Sequence, residues 1–309
     1  MIRWLPRALF LSLSLLTASC TATKLYQNVN AVDRWRLNVV EKKVQVGDFK
    51  IAYNERGEGE ALFLIHGFGS DKESWNRVID KIQAPMHIVA PDLPGWGRTT
   101  FLPQATYSLT EQAQRLDDFR KALGIEKLHI AGISMGGAIA GTYAGLYPDH
   151  VLSLSLIDSA GLQSPTPSDY FKALQEGDNP LILKKPADVD KLVPYVFYKD
   201  PKWSSVVKKV FFEQTGTRAD KNEKLFAELV GSGPILETLL PKVKVQTQVI
   251  WGAEDRIIHI STIDVIKSLK PDVDVHIIPE CGHAPIVEKV DETAKFIQSF
   301  VFKSTIFPT

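Results

Sequence analysis

The stretch Ile130-Ala131-Gly132-Ile133-Ser134-Met135-Gly136-Gly137 joins an apolar run, Leu128 to Ile133, to a run of small residues from Gly136 to Leu146. The first run reads as a buried strand. The second reads as a helix lying very close to it, because small side chains let backbones approach. Between them, Gly132 and Gly136 flank Ser134 at two residues on either side. A turn that sharp leaves no room for side chains at its flanks and holds its central residue in strained backbone geometry, so the Ser134 hydroxyl is displayed at the strand's end. The first amides of the helix then point at whatever binds there. The pentapeptide alone is equally compatible with an ordinary Gly-rich turn, and the rest of the chain decides between the two.

Outward from this turn, apolar runs alternate with helical patterns. Lys43 to Val46 and Phe49 to Tyr53 alternate like an antiparallel edge hairpin. Ala61 to Ile65 is a continuous apolar strand that ends in the bend His66-Gly67-Phe68-Gly69. Ser70 or Asp71 is placed to cap a helix containing Trp75, Val78 and Ile79. A further strand from Met86 ends at Asp92-Leu93-Pro94-Gly95-Trp96-Gly97, and Ser108 with Glu111 forms a capping box before a helix closed by Gly124. Strands follow at Val151 to Asp158, Val245 to Gly252 and Val273 to Ile278, with a closing helix from Asp291 to Phe302. Strands apolar throughout their length, alternating with helices, predict a mostly parallel sheet covered on both faces. Residues 162–240 break the pattern: they carry no strand signal, many aromatic and Lys residues and several Pro, and predict a helical cap inserted between core segments 41–161 and 241–309.

Composition narrows the partners. With 36 basic and 36 acidic residues there is no net charge to favour nucleic acid. The N-terminus carries Arg3 and Arg7 before a short apolar run from Ala8 to Ala18, too short to span a bilayer but suited to a secretory signal over residues 1–19. Leu16-Thr17-Ala18-Ser19-Cys20 is similar to a lipoprotein cleavage box, with Thr17 where that box usually has Leu. The expectation is therefore an exported, membrane-anchored chain lipidated on Cys20, with ordinary cleavage near Ala22 and a periplasmic or secreted form as the alternative. Cys281 is the other cysteine, so a lipidated Cys20 leaves no disulfide within the chain. Residues 20–40 form a linker in which Leu25, Val29, Val32 and Leu37 recur at helical spacing. Such a helix either covers the domain's flank or touches a membrane surface.

Three residue types suited to acyl transfer stand at strand ends in the order Ser134, Asp255, His283. In a parallel sheet all three fall at the carboxyl edge. A serine hydroxyl needs a base to take its proton, a histidine can take and return it, and a carboxylate can hold the other ring nitrogen. Asp158 also ends a strand after Ser134 and is the rival acid. His66 is expected to shape the bend by hydrogen bonding, Asp92 to brace the Pro-Gly turn, and His129 to be structural. Cys281 reads as a packed small residue. His87, His150, His259 and His276 carry no motif, and neither a metal nor a cofactor is expected.

Taken together, His66-Gly67-Phe68-Gly69, Asp92 to Gly97, Gly132 to Gly137, Trp251 to Asp255 and Cys281-Gly282-His283 resemble the motif set of the α/β-hydrolases over residues 41–303. The closer similarity is to membrane-associated monoacylglycerol lipases and small bacterial lipases and esterases, with Arg34-Trp35-Arg36, Asp158 to Leu162 and Gln248 to Gly252 in support. This resemblance implies the α/β-hydrolase fold with an eight-stranded sheet, an oxyanion hole from the Phe68 and Met135 amides, and hydrolysis of acylglycerols or other lipophilic esters through an acyl-enzyme on Ser134. A carbon–carbon bond hydrolase using the same three residues, and a non-catalytic ligand-binding lipoprotein, are the alternatives.

Overall fold

The computed structural model describes residues 24–216 and 219–306; the expected signal segment 1–19 and Cys20 lie outside them. Eight strands form one sheet among these residues: β1 (Val40–Val46), β2 (Phe49–Arg56), β3 (Glu60–Ile65), β4 (Met86–Pro91), β5 (Leu128–Ile133), β6 (Val151–Ile157), β7 (Thr247–Gly252) and β8 (Asp274–Ile278). Their spatial order is β1-β2-β4-β3-β5-β6-β7-β8. The β1–β2 and β2–β4 pairs are antiparallel and every other pair is parallel, so β2 alone runs against the rest. The mostly parallel arrangement is the one expected from the apolar strand pattern, and the eight strands are those the family resemblance implied.

Twelve α-helices accompany the sheet among the described residues. They are α1 (24–36), α2 (Asn76–Lys81), α3 (Leu109–Ala122), α4 (Met135–Leu146), α5 (Asp169–Gln175), α6 (Asp188–Val196), α7 (Ser205–Thr215), α8 (Ala219–Val230), α9 (Leu236–Leu239), α10 (Thr262–Leu269), α11 (Pro285–Glu288) and α12 (Val290–Ile306). Helices α5 to α9 all lie between β6 and β7, where strand signals are missing from the sequence.

The period-two alternation of a strand divides the core in two. Ala61, Phe63 and Ile65 of β3 join Ile130, Val249 and Trp251 in the cluster that also holds Phe119 of α3 and Tyr143 of α4. Leu62 and Leu64, one residue out of phase, join Ile133 and Ile250 on the opposite face with Val78 and Ile79 of α2 and Ile297 and Val301 of α12. Both faces are thus covered, which leaves the carboxyl ends of the strands as the open edge. Local signals terminate the elements as expected. Ser108 Oγ accepts from the Glu111 amide at 3.2 Å, and Gly124 takes φ +68° after α3. Asp71 caps a single 3-10 turn at Lys72–Trp75 through the Glu73 amide.

Of the two readings of the linker helix, cover for the flank is not what its apolar residues provide: Leu25, Val29, Val32 and Trp35 are exposed, Trp35 by 82%. Helix α1 is instead docked through its polar side. Tyr26 Oη donates to Asp71 Oδ2 at 3.0 Å, and Arg34 pairs with Glu73 and, at 3.3 Å, with Glu41. Half-buried carboxylates on the body attract that side of the helix, and only Leu37, beyond its end, reaches the core.

Candidate active site

Ser134 stands between β5 and α4 with φ +56° and ψ −121°, a combination rare for a residue with a side chain. The constraint is steric. A Cβ on Gly132 would strike the Gly136 carbonyl and lie 2.7 Å from the Gly137 nitrogen. One on Gly136 would strike the Ile65 carbonyl and lie 2.5 Å from that of His66, and one on Gly137 would lie 2.6 Å from Ser159 Oγ. Two hydrogen bonds hold the turn: Ser134 N donates to Ile157 O at 2.9 Å, and Ala160 N donates to Ser134 O at 3.1 Å. The glycines permit the turn and its neighbours on β3 and β6 lock it.

The bend after β3 passes beside the serine. A Cβ built on Gly67 would be in ordinary contact, 3.4 Å, with Ser134 Cβ. This brings the chain carrying Phe68 next to the N-terminus of α4, where the Met135 amide lies among those that a helix leaves without intrahelical partners. His66 is fully buried and uses both ring nitrogens on backbone: Nδ1 lies 2.8 Å from Gly67 O, and Nε2 accepts from Leu93 N at 3.1 Å. Burial pushes its pKa below the usual histidine value, so it is neutral and shapes the bend. Asp92 organises the next turn. Its carboxylate accepts from Lys72 N (2.8 Å), Lys72 Nζ (3.0 Å) and Arg98 N (2.8 Å), and Gly97 is folded against it with no space for a Cβ.

Across the sheet edge, Asp255 follows β7 and His283 follows β8. Asp255 Oδ1 accepts from the amides of Ile257 (2.8 Å) and Ile258 (3.0 Å), and its Oδ2 lies 2.7 Å from His283 Nδ1. The carboxylate therefore fixes the tautomer and leaves Nε2 as the ring nitrogen not engaged by Asp255. The histidine loop is clamped on all sides. Glu254 Oε2 accepts from Cys281 N at 2.9 Å, Glu288 Oε2 from Gly282 N at 2.8 Å, and Val196 O of α6 from His283 N at 2.8 Å. Gly252 has no room for a side chain because Cys281 O would lie 2.6 Å from its Cβ. The last clamp joins the histidine to the helices between β6 and β7, and no sequence pattern pointed to it.

The remaining candidates separate. Asp158 does not reach His283 Nδ1 but is fully buried, with Oδ1 accepting from Gly252 N at 2.9 Å. Cys281 is buried, and burial pushes its thiol pKa up, which disfavours the reactive thiolate. His129 is buried, with Nδ1 2.8 Å from Ser153 Oγ. Two groups of aromatics from residues 162–240 bear on the site in different ways. Phe197, Trp203 and Phe211 pack on one another at 5.2–5.5 Å between ring centres. Phe226 of α8 instead meets Phe68 edge-on at 5.7 Å, and Trp96 meets Phe68 from another side at 6.0 Å. Leu225 fills the space over Gly95. One cluster is thus the insertion's own core, and the other roofs the bend beside Ser134.

The pattern described as the alpha/beta hydrolase fold matches residues 60–223. The chain belongs to the α/β-hydrolase family. It is 34% identical over 255 residues to Lipase 1 of Psychrobacter immobilis, covering 81% of this chain and 80% of that protein. It is 30% identical over 289 residues to monoacylglycerol lipase ABHD6 of Rattus norvegicus, covering 86% and 84%. Among solved structures, a membrane phospholipase A superposes with TM-score 0.88 at 37% identity over 97% of this chain and 99% of that one. The meta-cleavage product hydrolase CumD, at 20% identity and TM-score 0.76, shares the fold.

Proposed function

We propose that this α/β-hydrolase cleaves carboxylic esters of lipids, monoacylglycerols first among them, through an acyl-enzyme on Ser134. The observation that carries this reading is the Asp255–His283 pair at 2.7 Å on the same sheet edge as a serine held at φ +56°. His283 takes the Ser134 proton as the hydroxyl attacks the ester carbonyl, then returns it to the departing alcohol. A water activated by the same ring nitrogen hydrolyses the acyl-enzyme. Asp255 holds the ring and stabilises its protonated form. The amides of Phe68 and Met135 receive the charge that develops on the carbonyl oxygen, a role in which each donor is worth about 10²–10³ in turnover. The lipase and monoacylglycerol lipase relatives support the substrate class.

Attachment to a membrane belongs to the same proposal. The segment 1–19 and a lipidated Cys20 would anchor the chain, and the outward apolar stripe of α1 would lie against the lipid, with the helices of 162–240 serving as a cap over the acyl pocket. Among the described residues no helix is long and apolar enough to cross a membrane, and the similarity to a membrane phospholipase A supports a lipid-surface site of action.

The test is hydrolysis of matched mono-, di- and triacylglycerols with Ser134→Ala as control. Release from monoacylglycerol is expected to dominate, and the variant to lose at least about 10³-fold. Hydrolysis by Ser134→Ala at the wild-type rate would refute the assignment.

A further inference from the structure

Behind the Asp255–His283 pair lies a second carboxyl group that the reaction as described does not use. Asp158 ends β6 with φ +42°, a left-handed conformation that Asp tolerates at a cost. Its amide continues the β6–β7 ladder by donating to Ile250 O at 3.0 Å. The side chain is wholly buried. One carboxylate oxygen from each of Asp158 and Asp255 and one ring nitrogen of His283 lie within 4.8 Å of one another. Oδ1 of Asp158 accepts from Gly252 N, and no N–H or O–H donor reaches its Oδ2 among the described residues.

Two carboxyl groups this close, both out of water, do not both ionise, and the donors around them decide which one keeps the charge. Asp255 receives three N–H groups, two from backbone and one from the imidazole. Asp158 receives one. The charge therefore belongs on Asp255 and the proton on Asp158, whose unpartnered Oδ2 then becomes a donor. We propose that Asp158 is a positioning residue: a neutral carboxylic acid whose Oδ2–H donates to the Asp255 carboxylate and holds it beneath His283. Burial first, and the Asp255 charge second, raise the Asp158 pKa well above the usual carboxylate range, in agreement. The charged and titratable groups facing it are Asp255 beyond β7, Cys281 and His283 beyond β8, and Glu288 of α11.

The arrangement explains why a second acid at a strand end does not compete for the histidine. An ionised Asp158 would add negative charge beside the imidazole and push the Asp255 carboxylate out of line by repulsion. A neutral one supplies the fourth hydrogen bond to a carboxylate that already accepts three. The proposal rests on the triad assigned above, so its test is read against Ser134→Ala.

Asp158→Asn keeps both the acceptor for Gly252 N and a donor for Asp255, and Asp158→Leu removes both. Activity on monoacylglycerol is measured as kcat and KM across pH. For Asp158→Asn, kcat is expected to stay within about threefold, with the acid limb of kcat/KM unmoved because no charge has been lost. For Asp158→Leu, kcat is expected to fall about 10–100-fold with KM little changed, the usual consequence of removing a group that orients a catalytic one. An acid limb that moves down by about one pH unit in Asp158→Asn would show that the native residue is charged and overturn the proposal. So would full activity in Asp158→Leu, or a loss in Asp158→Asn as deep as in Asp158→Leu. Should the Leu variant fail to fold, the acid limb of the Asn variant decides by itself. An active Ser134→Ala would instead remove the triad reading on which the proposal stands.

Discussion

The turn at Ser134 and the helix α1 are held to the same body by opposite means. At the turn, fit is steric: Gly132 and Gly136 lack side chains because backbone of α4 and of the end of β3 occupies the space, and Gly137 because the Ser159 side chain does. At α1, attachment is polar: Tyr26 and Arg34 reach Asp71, Glu73 and Glu41 while the apolar residues face outward. A steric fit fails all at once, whereas a polar clamp fails in steps and can respond to pH. The two regions meet, since two of the residues that hold α1, Asp71 and Glu73, follow Phe68 by three and five positions. Substitutions can break or sharpen the contrast.

The largest effect is expected at the turn. Gly136→Ala drives a methyl group into the carbonyls of Ile65 and His66, neither of which can move without opening β3. A loss of at least about 3 kcal/mol, or no folded protein at all, is expected from overpacking against backbone. Thermal unfolding of the purified variant checks it. A melting temperature equal to that of the wild type would mean the turn is looser than its geometry implies.

Arg34→Met comes next. It removes the cation shared by Glu73 and Glu41, leaving Glu73 with Asn54, Asn76 and Lys72. Because those partners remain, the loss should be about 1–3 kcal/mol rather than the full cost of an orphaned buried charge. Tyr26→Phe, which loses one hydrogen bond at 3.0 Å, should lose about 1 kcal/mol. Denaturant titration of both variants and of the pair measures whether the two contacts act together.

Much of the fold, and the order Ser134, Asp255, His283, could be read from residues within a few positions of one another. Glycine spacing, apolar runs and the Ser108–Glu111 box are local, and sterics, burial and a capping hydrogen bond interpret them in turn. The orientation of α1 could not be read this way. Helical spacing of Leu25, Val29 and Val32 finds an apolar stripe but not the side on which the body lies, and the deciding partners of Tyr26 and Arg34 stand 45 and 39 residues away. The contact of Asp158 with Asp255 is hidden for the same reason, as is the Val196 carbonyl above His283. Each depends on which chain ends the sheet order brings side by side.

The polar clamp carries its own pH dependence. Burial, and then the charge of Asp92, pushes the Asp71 carboxyl up to about 7. Unfolded, this group loses its proton near the ordinary value of about 4. Between those two values the folded chain binds more protons than the unfolded one, so Asp71 contributes stability at low pH that is lost as pH rises through about 7. Asp71→Asn retains an acceptor for the Glu73 amide and presents an N–H to Tyr26 Oη where Oδ2 accepted from it, but has no proton to lose. It should flatten that part of the stability profile and be at least as stable as the wild type at pH 8. A wild-type slope persisting in the Asn variant would assign the pH dependence to another group.

The smallest change in stability is expected where α1 faces outward. Val32 is 63% and Trp35 82% exposed, so Val32→Ser and Trp35→Ser should each shift stability by no more than about 0.5 kcal/mol. Their effect should be on position. An apolar stripe on a helix whose polar side is already occupied has nothing of the body left to cover, and a lipid surface beside an N-terminal anchor would cover it. Flotation of the double variant with phospholipid vesicles, with Cys20→Ser as a separate background, measures the share of binding that the stripe supplies. Weaker binding with an unchanged melting temperature would make the contrast complete: one region gives up side chains to hold a serine, the other turns apolar side chains outward to hold the molecule. Unchanged binding in both backgrounds would leave the stripe without a role at the membrane, and the polar clamp would then serve only to brace the segment that follows Phe68.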